Sequence, residues 1–207
     1  MPPSLSVAAL SGDVNLVGDL TLAPSPKGNL VVSAAGSVNG LQPNGVSSQL
    51  VPGTSQVAWS SSVINVSDAN PALVPGVLLP YGYRGLVGSG KTSNLTTENL
   101  FLSPVDRLFA ETGATAGAAD SLQVKQALHS AGLLHGGDAE PVRLSTGTGD
   151  ISGITLFAPK RANIQAGRDI TDFSLYGQNI ESTDRTKIGA GRDIVLYQPN
   201  SLLRVRS

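Results

Sequence analysis

The sequence has no cysteine, few aromatic residues and few charged residues. Without cysteine, the 207-residue chain has no disulfide framework, no Cys-ligated metal or iron–sulfur site and no thiol nucleophile. Charged residues make up 14% of the chain and leave a formal net charge of −1, so we expect no nucleic-acid partner. No apolar run approaches the roughly 18 residues of a membrane-spanning helix, so we expect no membrane insertion.

The first residues do not match the pattern of an export signal, so we expect a signal peptide to be missing or never included. Met1-Pro2-Pro3-Ser4 is not followed by a basic residue until Lys27, and no compact apolar segment precedes a small-residue cleavage site. The pattern is strand-like at the start and stops abruptly at Arg206-Ser207. We therefore expect a piece excised from a longer protein, with an added initiator methionine.

The chain is rich in turn-forming residues and carries a sequence repeat. It contains 24 glycines and 13 prolines, a composition typical of short strands joined by turns. Residues 162–170 align without a gap on residues 186–194, an offset of 24 residues, and both segments contain Gly-Arg-Asp-Ile. Shorter units with a glycine, a polar residue and then apolar residues lie elsewhere: Gly12-Asp13-Val14-Asn15, Gly36-Ser37-Val38-Asn39, Gly149-Asp150-Ile151 and Gly177-Gln178-Asn179-Ile180.

Such a unit is too short to bury its own apolar face and becomes stable only when copies stack. We therefore predict an all-β chain folded as a right-handed parallel β-helix, a solenoid in which Ile164, Ile170, Ile188 and Ile194 form internal ladders. The alternative is a β-sandwich, which also fits short strands with regular turns. The predicted structural turns of the repeat are Gly167, Arg168, Asp169, Ile170, Gly191, Arg192, Asp193 and Ile194. Gly167 and Gly191 are expected at corners that need a positive φ or a close backbone approach.

The repeat divides the chain into four predicted parts. Residues 1–48 and 141–207 carry the units and are predicted to form β-helix coils. Residues 49–94 are rich in Pro, Gly and Ser and predict irregular structure with one or two strands. Residues 95–140 predict a small helical insertion, since Ser103-Pro104 and Asp120-Ser121 are typical helix starts.

The C-terminal third resembles a known protein family. It contains the run Leu134-His135-Gly136-Gly137-Asp138-Ala139-Glu140-Pro141-Val142-Arg143, followed by Gly149-Asp150-Ile151, Gly177-Gln178-Asn179 and the two Gly-Arg-Asp-Ile copies. With these residues the chain is similar to the filamentous haemagglutinin family over about residues 134–198. More narrowly, it resembles the C-terminal-side region of large exoproteins exported by two-partner secretion. The resemblance implies a secreted or bacterial cell-surface location and an outer-membrane transporter as partner during export. It also implies a role in attachment or virulence, with a host or bacterial surface receptor or glycan as a further partner.

One motif points to nucleotide binding. Gly85-Leu86-Val87-Gly88-Ser89-Gly90-Lys91-Thr92 satisfies the phosphate-binding P-loop pattern. That loop works between a buried strand and a helix, whose amides face the phosphates. Pro80-Tyr81-Gly82-Tyr83-Arg84 is a poor central strand, so we predict a glycine loop without nucleotide and no cofactor.

Other candidate groups also favour a structural role. Asp169 and Asp193, with Arg168 and Arg192, could gather for polysaccharide cleavage, but no further acidic cluster joins them, so we predict a solvent-exposed charge ladder. His129 and His135 are six residues apart, which does not place both on one helix face, so we predict no metal site.

The sequence thus predicts a non-enzymatic segment of a large exoprotein, acting as a structural shaft or adhesive surface. Two alternatives stay open: the stalk of a contact-dependent inhibition effector, and a β-helical polysaccharide-active enzyme.

Overall fold

The computed structural model describes residues 2–18, 20–47, 56–71 and 132–196, with the backbone alone for 41–47 and 56–60. These residues form thirteen β-strands and no α-helix. The strands are β1 (Ser4–Ala9), β2 (Val14–Asn15), β3 (Leu20–Leu22), β4 (Asn29–Ala34), β5 (Val38–Asn39), β6 (Leu41–Ser47), β7 (Gln56–Val66), β8 (Val142–Thr146), β9 (Ile151–Ala158), β10 (Ala162–Ala166), β11 (Ile170–Gly177), β12 (Lys187–Ala190) and β13 (Ile194–Val195).

Most strands belong to two parallel sheets that the chain visits in turn. The first sheet has the order β1-β4-β8-β10-β12, and the second follows the order β2-β5-β9-β11-β13. Each strand of the first sheet precedes its counterpart in the second, so the described residues make five repeats, numbered 1 to 5 from the N-terminus. All pairs along both orders are parallel, whereas the sheets of a β-sandwich are antiparallel.

A third row of parallel pairs joins β3, β7, β9 and β11. The strands β9 and β11 take part in the second sheet and in the third row. Between the two sets of pairs each strand has a residue with a positive φ, 66° at Gly153 and 49° at Asp172. Between repeats 2 and 3, β6 and β7 form an antiparallel pair.

The sheet register matches the sequence repeat where the two units align without a gap. Ile164 pairs with Ile188 and Ile170 with Ile194, both at the offset of 24 residues. Val14 pairs with Val38 at the same offset. Other steps have different lengths: Leu144 pairs with Ile164, and Val32 pairs with Leu144 across the long segment between repeats 2 and 3. Residues 178–180, where a partial copy was predicted, form no strand.

The core lies inside the strand rows, as alternation of apolar and polar residues requires. Its fully buried side chains stack from repeat to repeat: Leu30, Val32, Val38, Leu144, Ile151, Ile154, Leu156, Ile164 and Ile170. The predicted internal ladders are therefore correct for Ile164 and Ile170. They are wrong for Ile188 and Ile194, which are 43% and 57% exposed, because repeat 5 has a neighbour on only one side within the described residues.

The structure describes only part of the middle of the chain, so most predictions made there are not tested. Within the segment 49–94, β7 is a strand of 11 residues. The predicted helical starts, His129 and the P-loop pattern of 85–92 lie outside the described residues. Residues 132–140, the described end of the predicted helical insertion, form turns. In the ranges that are described, no helix is long and apolar enough to cross a membrane.

Candidate functional site

The corner between the two sheets brings the predicted turn residues together. One position of each repeat forms a column here, which we call the corner column: Asp13, Ser37, Asp150, Asp169 and Asp193. Each of the first four side chains accepts a hydrogen bond from the backbone N–H of the next member. The N···O distances are 2.6 Å from Ser37 to Asp13, 3.1 Å from Asp150 to Ser37, 3.0 Å from Asp169 to Asp150 and 3.1 Å from Asp193 to Asp169.

Two arginines reinforce the column in repeats 3 to 5. The Arg168 guanidinium donates to both carboxylate oxygens of Asp150, with Nε 2.7 Å from Oδ1. Arg192 binds Asp169 in the same way, with Nε at 2.9 Å. These two-point hydrogen bonds lower the pKa of Asp150 and of Asp169, and they raise the pKa of both arginines. Each arginine therefore binds the aspartate of the preceding repeat.

The prediction of a solvent-exposed charge ladder is wrong for Asp169. Its residue exposure is only 3%, whereas the side chains of Arg192 and Asp193 are each 63% exposed. The reason is geometric: the carboxylate of Asp169 lies under the guanidinium of the next repeat and accepts a backbone N–H, so three donors replace its water. The corner shields Asp150 and Asp169 and leaves the two arginines in solvent.

The glycines of the repeat allow the backbones to approach closely. A Cβ on Gly167 would overlap the carbonyl oxygen of Gly147, and one on Gly191 would overlap that of Gly167. Neither Gly167 nor Gly191 has a positive φ. The sequence predicted a positive φ or a close backbone approach at these two glycines, and the structure shows the close approach.

A second polar group, which sequence reasoning missed, lies beside the turn that precedes β8. We call Lys160, Asp138 and His135 the buried cluster, since their side chains are only 1–3% exposed. The Lys160 ammonium donates to Asp138 Oδ2 at 2.7 Å, and the Glu140 amide donates to Asp138 Oδ1 at 3.2 Å. The exposed Lys27 ammonium is 3.8 Å from Asp138 Oδ1.

His135 closes the cluster against the end of β7. Its Nε2 is 3.4 Å from the carbonyl oxygen of Ser67, which can only accept, so Nε2 carries the proton. Its Nδ1 has no hydrogen-bond partner among the described residues and lies 3.9 Å from Asp138 Oδ2. Burial, together with the Lys160 charge, lowers the pKa of His135. The imidazole is therefore neutral at neutral pH.

Burial acts against charge on both members of the Lys160–Asp138 pair. It is the largest influence on Lys160 and lowers the pKa of that amine, although the Asp138 contacts oppose the shift. For Asp138, burial works to raise the pKa, but the Lys160 hydrogen bond, the Glu140 amide and Lys27 together hold it below its ordinary value. The cluster thus combines a buried amine, a carboxyl group and a neutral imidazole.

The chemistry open to these groups is internal rather than directed at a substrate. Side chains that are 1–3% exposed offer no contact surface to an external molecule. In the part of the chain that the structure describes, no three or more His, Asp or Glu side chains gather around a possible metal position. In the sequence, the only trace of the cluster is His135 and Asp138 three residues apart, because Lys160 belongs to a different turn.

Comparison of the chain with protein-family models, with curated proteins and with solved structures found no match.

Proposed function

We propose that the chain is a non-catalytic segment of a large secreted or cell-surface exoprotein, a right-handed parallel β-helix that extends and presents a surface. The observation that carries the proposal is the corner column, in which one side chain per repeat binds the backbone of the next. A repeated unit whose corner side chains bind the neighbouring unit is suited to building length.

Three features of the described strands support the β-helix. The two sheets and the third row are all parallel, and their strands follow one another in the same order in successive repeats. Apolar side chains stack in columns inside these rows. Polar side chains also stack: Asn39 Nδ2 donates to Asn15 Oδ1 at 3.1 Å, and Ser152 Oγ donates to Asn39 Oδ1 at 3.4 Å.

The engagement of the corner carboxylates favours a structural role over polysaccharide cleavage. Asp150 and Asp169 each accept two bonds from an arginine and one from a backbone amide, so their oxygens are occupied by stacking contacts. A catalytic carboxylate needs an oxygen directed at a substrate. The resemblance to the filamentous haemagglutinin family adds export through an outer-membrane two-partner transporter and a cell-surface receptor or glycan as partners.

Cell binding tests the proposal most directly. The purified chain and a variant without residues 95–137 are incubated with host and bacterial cells, and bound protein is measured. We expect binding by the full chain, and the deletion shows whether the predicted insertion or the repeats carry it. No binding to either cell type contradicts an adhesive surface. Binding confined to bacterial competitors favours the contact-dependent inhibition stalk.

Two further measurements test the class and the fold. Incubation with acidic polysaccharides is expected to release no unsaturated sugars, and their release would establish the enzyme alternative. A circular dichroism spectrum dominated by β-structure is expected, and one dominated by helix contradicts the solenoid.

A further inference from the structure

We propose that Lys160 and Asp138 form an intramolecular amide cross-link, a covalent modification that ties the turn before β10 to the turn before β8. The inference is independent of the proposed function and rests on the geometry of the buried cluster. The amine nitrogen of Lys160 lies 2.7 Å from Asp138 Oδ2, and the two side chains are 1% and 3% exposed. A nucleophile and a carboxyl group are thus held in contact where bulk water is absent.

The neutral forms of the pair are the reactive ones. Transfer of one proton along the Lys160–Asp138 hydrogen bond gives a neutral amine and a carboxylic acid. Burial works toward this state for both groups, because a low-dielectric surrounding penalises each charge, and it acts against the hydrogen bonds that hold the pKa of Asp138 below its ordinary value. The amine lone pair can then attack Cγ of Asp138, forming the C–N bond.

His135 is placed to carry the proton that the attack releases. Its Nδ1 is unprotonated, buried, without a hydrogen-bond partner in the described structure, and 3.9 Å from Asp138 Oδ2. The nitrogen of the tetrahedral intermediate loses a proton to Nδ1, which returns it to the departing hydroxyl. The C–O bond breaks and one water leaves. Of the three protons on the Lys160 ammonium, one remains in the amide and two leave in the water, so no oxidant or co-reactant is needed.

The product would fasten repeats 3 and 4 where each begins. Lys160 lies between β9 and β10, and Asp138 precedes β8. An amide here closes a loop over one whole repeat, which removes conformations from the unfolded chain as other cross-links do.

Intact-mass measurement of the denatured, purified full chain tests the proposal. We expect a mass lower than that calculated from the sequence by one water, and a branched peptide joining Asp138 to Lys160 after tryptic digestion. Lys160→Arg, which keeps the charge, is expected to show the calculated mass. Lys27→Arg is the matched control, since Lys27 also approaches Asp138 but is 71% exposed, and it is expected to keep the loss of water.

Other outcomes overturn the cross-link. A wild-type chain at its calculated mass that trypsin cleaves after Lys160 has no amide at this site. A loss of water that persists in Lys160→Arg arises elsewhere in the chain. For His135, the variant His135→Asn is expected to slow cross-linking at least tenfold with its circular dichroism spectrum unchanged, and cross-linking at the wild-type rate removes His135 from the mechanism.

Discussion

Two aspartates of this protein are buried in different ways. Asp169 at the corner and Asp138 in the buried cluster have side chains that are 4% and 3% exposed, and each is bound by a cation from the following repeat. The guanidinium that binds Asp169 is 63% exposed, whereas the ammonium that binds Asp138 is 1% exposed. At the corner only the anion leaves water, while in the cluster both charges do.

This difference separates a contact that can be repeated from one that cannot. A cation that keeps its hydration adds little desolvation cost, so the corner pair can recur wherever a repeat supplies arginine. Repeats 1 and 2 have Gly12 and Gly36 at the arginine position, and there Asp13 binds the backbone N–H of Ser37 without an arginine, beside the backbone bond from the Gly36 N–H to the Gly12 carbonyl. A pair that is buried on both sides depends on each partner, because either one alone is an uncompensated buried charge.

Replacing Lys160 is expected to have the largest effect. Lys160→Met removes the Lys160 nitrogen, whether it is an ammonium or part of the proposed amide, and leaves the Asp138 carboxylate buried without its main partner, so we expect the free energy of unfolding to fall by about 3–5 kcal/mol. Denaturant unfolding monitored by circular dichroism measures it. Lys27→Met is the control, expected to lower stability by less than about 1 kcal/mol because Lys27 is exposed. Equal effects of the two variants contradict the contrast between buried and exposed cations.

Acid is expected to weaken the buried cluster through His135. The pKa of His135 is lowered from 6.5 in the folded chain, so below pH 6.5 the unfolded chain binds a proton that the folded chain does not. Stability therefore falls as the pH drops below 6.5, with a limiting slope of about 1.4 kcal/mol per pH unit. In His135→Gln this slope is expected to disappear below pH 6.5. An unchanged slope in denaturant titrations excludes His135 as its source.

The corner aspartates act in a lower pH range. The pKa of Asp150 and that of Asp169 lie below 3.8 in the folded chain because of the arginine hydrogen bonds. Their contribution is therefore complete above that value and is lost as the pH falls below it. The two regions separate by pH, since the cluster weakens first.

A third aspartate, Asp172, is also buried, but among the described residues it lacks the donors that bind Asp138 and Asp169. Asp172 has a positive φ of 49°, and its Oδ1 is buried without a hydrogen-bond partner in the described structure. Asp172→Gly removes the strained backbone and the buried oxygen together, so we expect stability to rise by about 1 kcal/mol. Gly153 lies opposite Asp172 on β9 and also has a positive φ. Gly153→Ala puts a side chain on that backbone and is expected to lower stability. A loss of stability in Asp172→Gly would assign that side chain a supporting role.

The corner could be predicted from the sequence far better than the cluster. The gapless copies at an offset of 24 residues set the register of Ile164 on Ile188, and with it the position of Asp169 beside Arg192. Steps of other lengths broke the pattern, as between Ile151 and Ile170. Lys160 could not be assigned a partner, because its contact with Asp138 depends on two irregular turns that no periodicity describes. The burial of Asp169 was also missed, since it arises only when the next repeat covers the carboxylate.

Removing a corner arginine is expected to have the smallest effect, and it isolates the contribution of the guanidinium. Arg192→Ala lets water reach the Asp169 carboxylate, which keeps the backbone N–H of Asp193. We expect Arg192→Ala to lower the unfolding midpoint less than Lys160→Met does. We expect the effect of Arg192→Ala to be smaller still in high salt, which screens exposed charges. Asp169→Asn is the stricter comparison, because it weakens the arginine contact while keeping an oxygen that can accept the Asp193 amide. Arg192→Ala could instead lower the unfolding midpoint as much as Lys160→Met does, with an effect that does not depend on salt. In that case solvent does not screen the Arg192–Asp169 pair, and the exposure of its guanidinium does not distinguish the two regions.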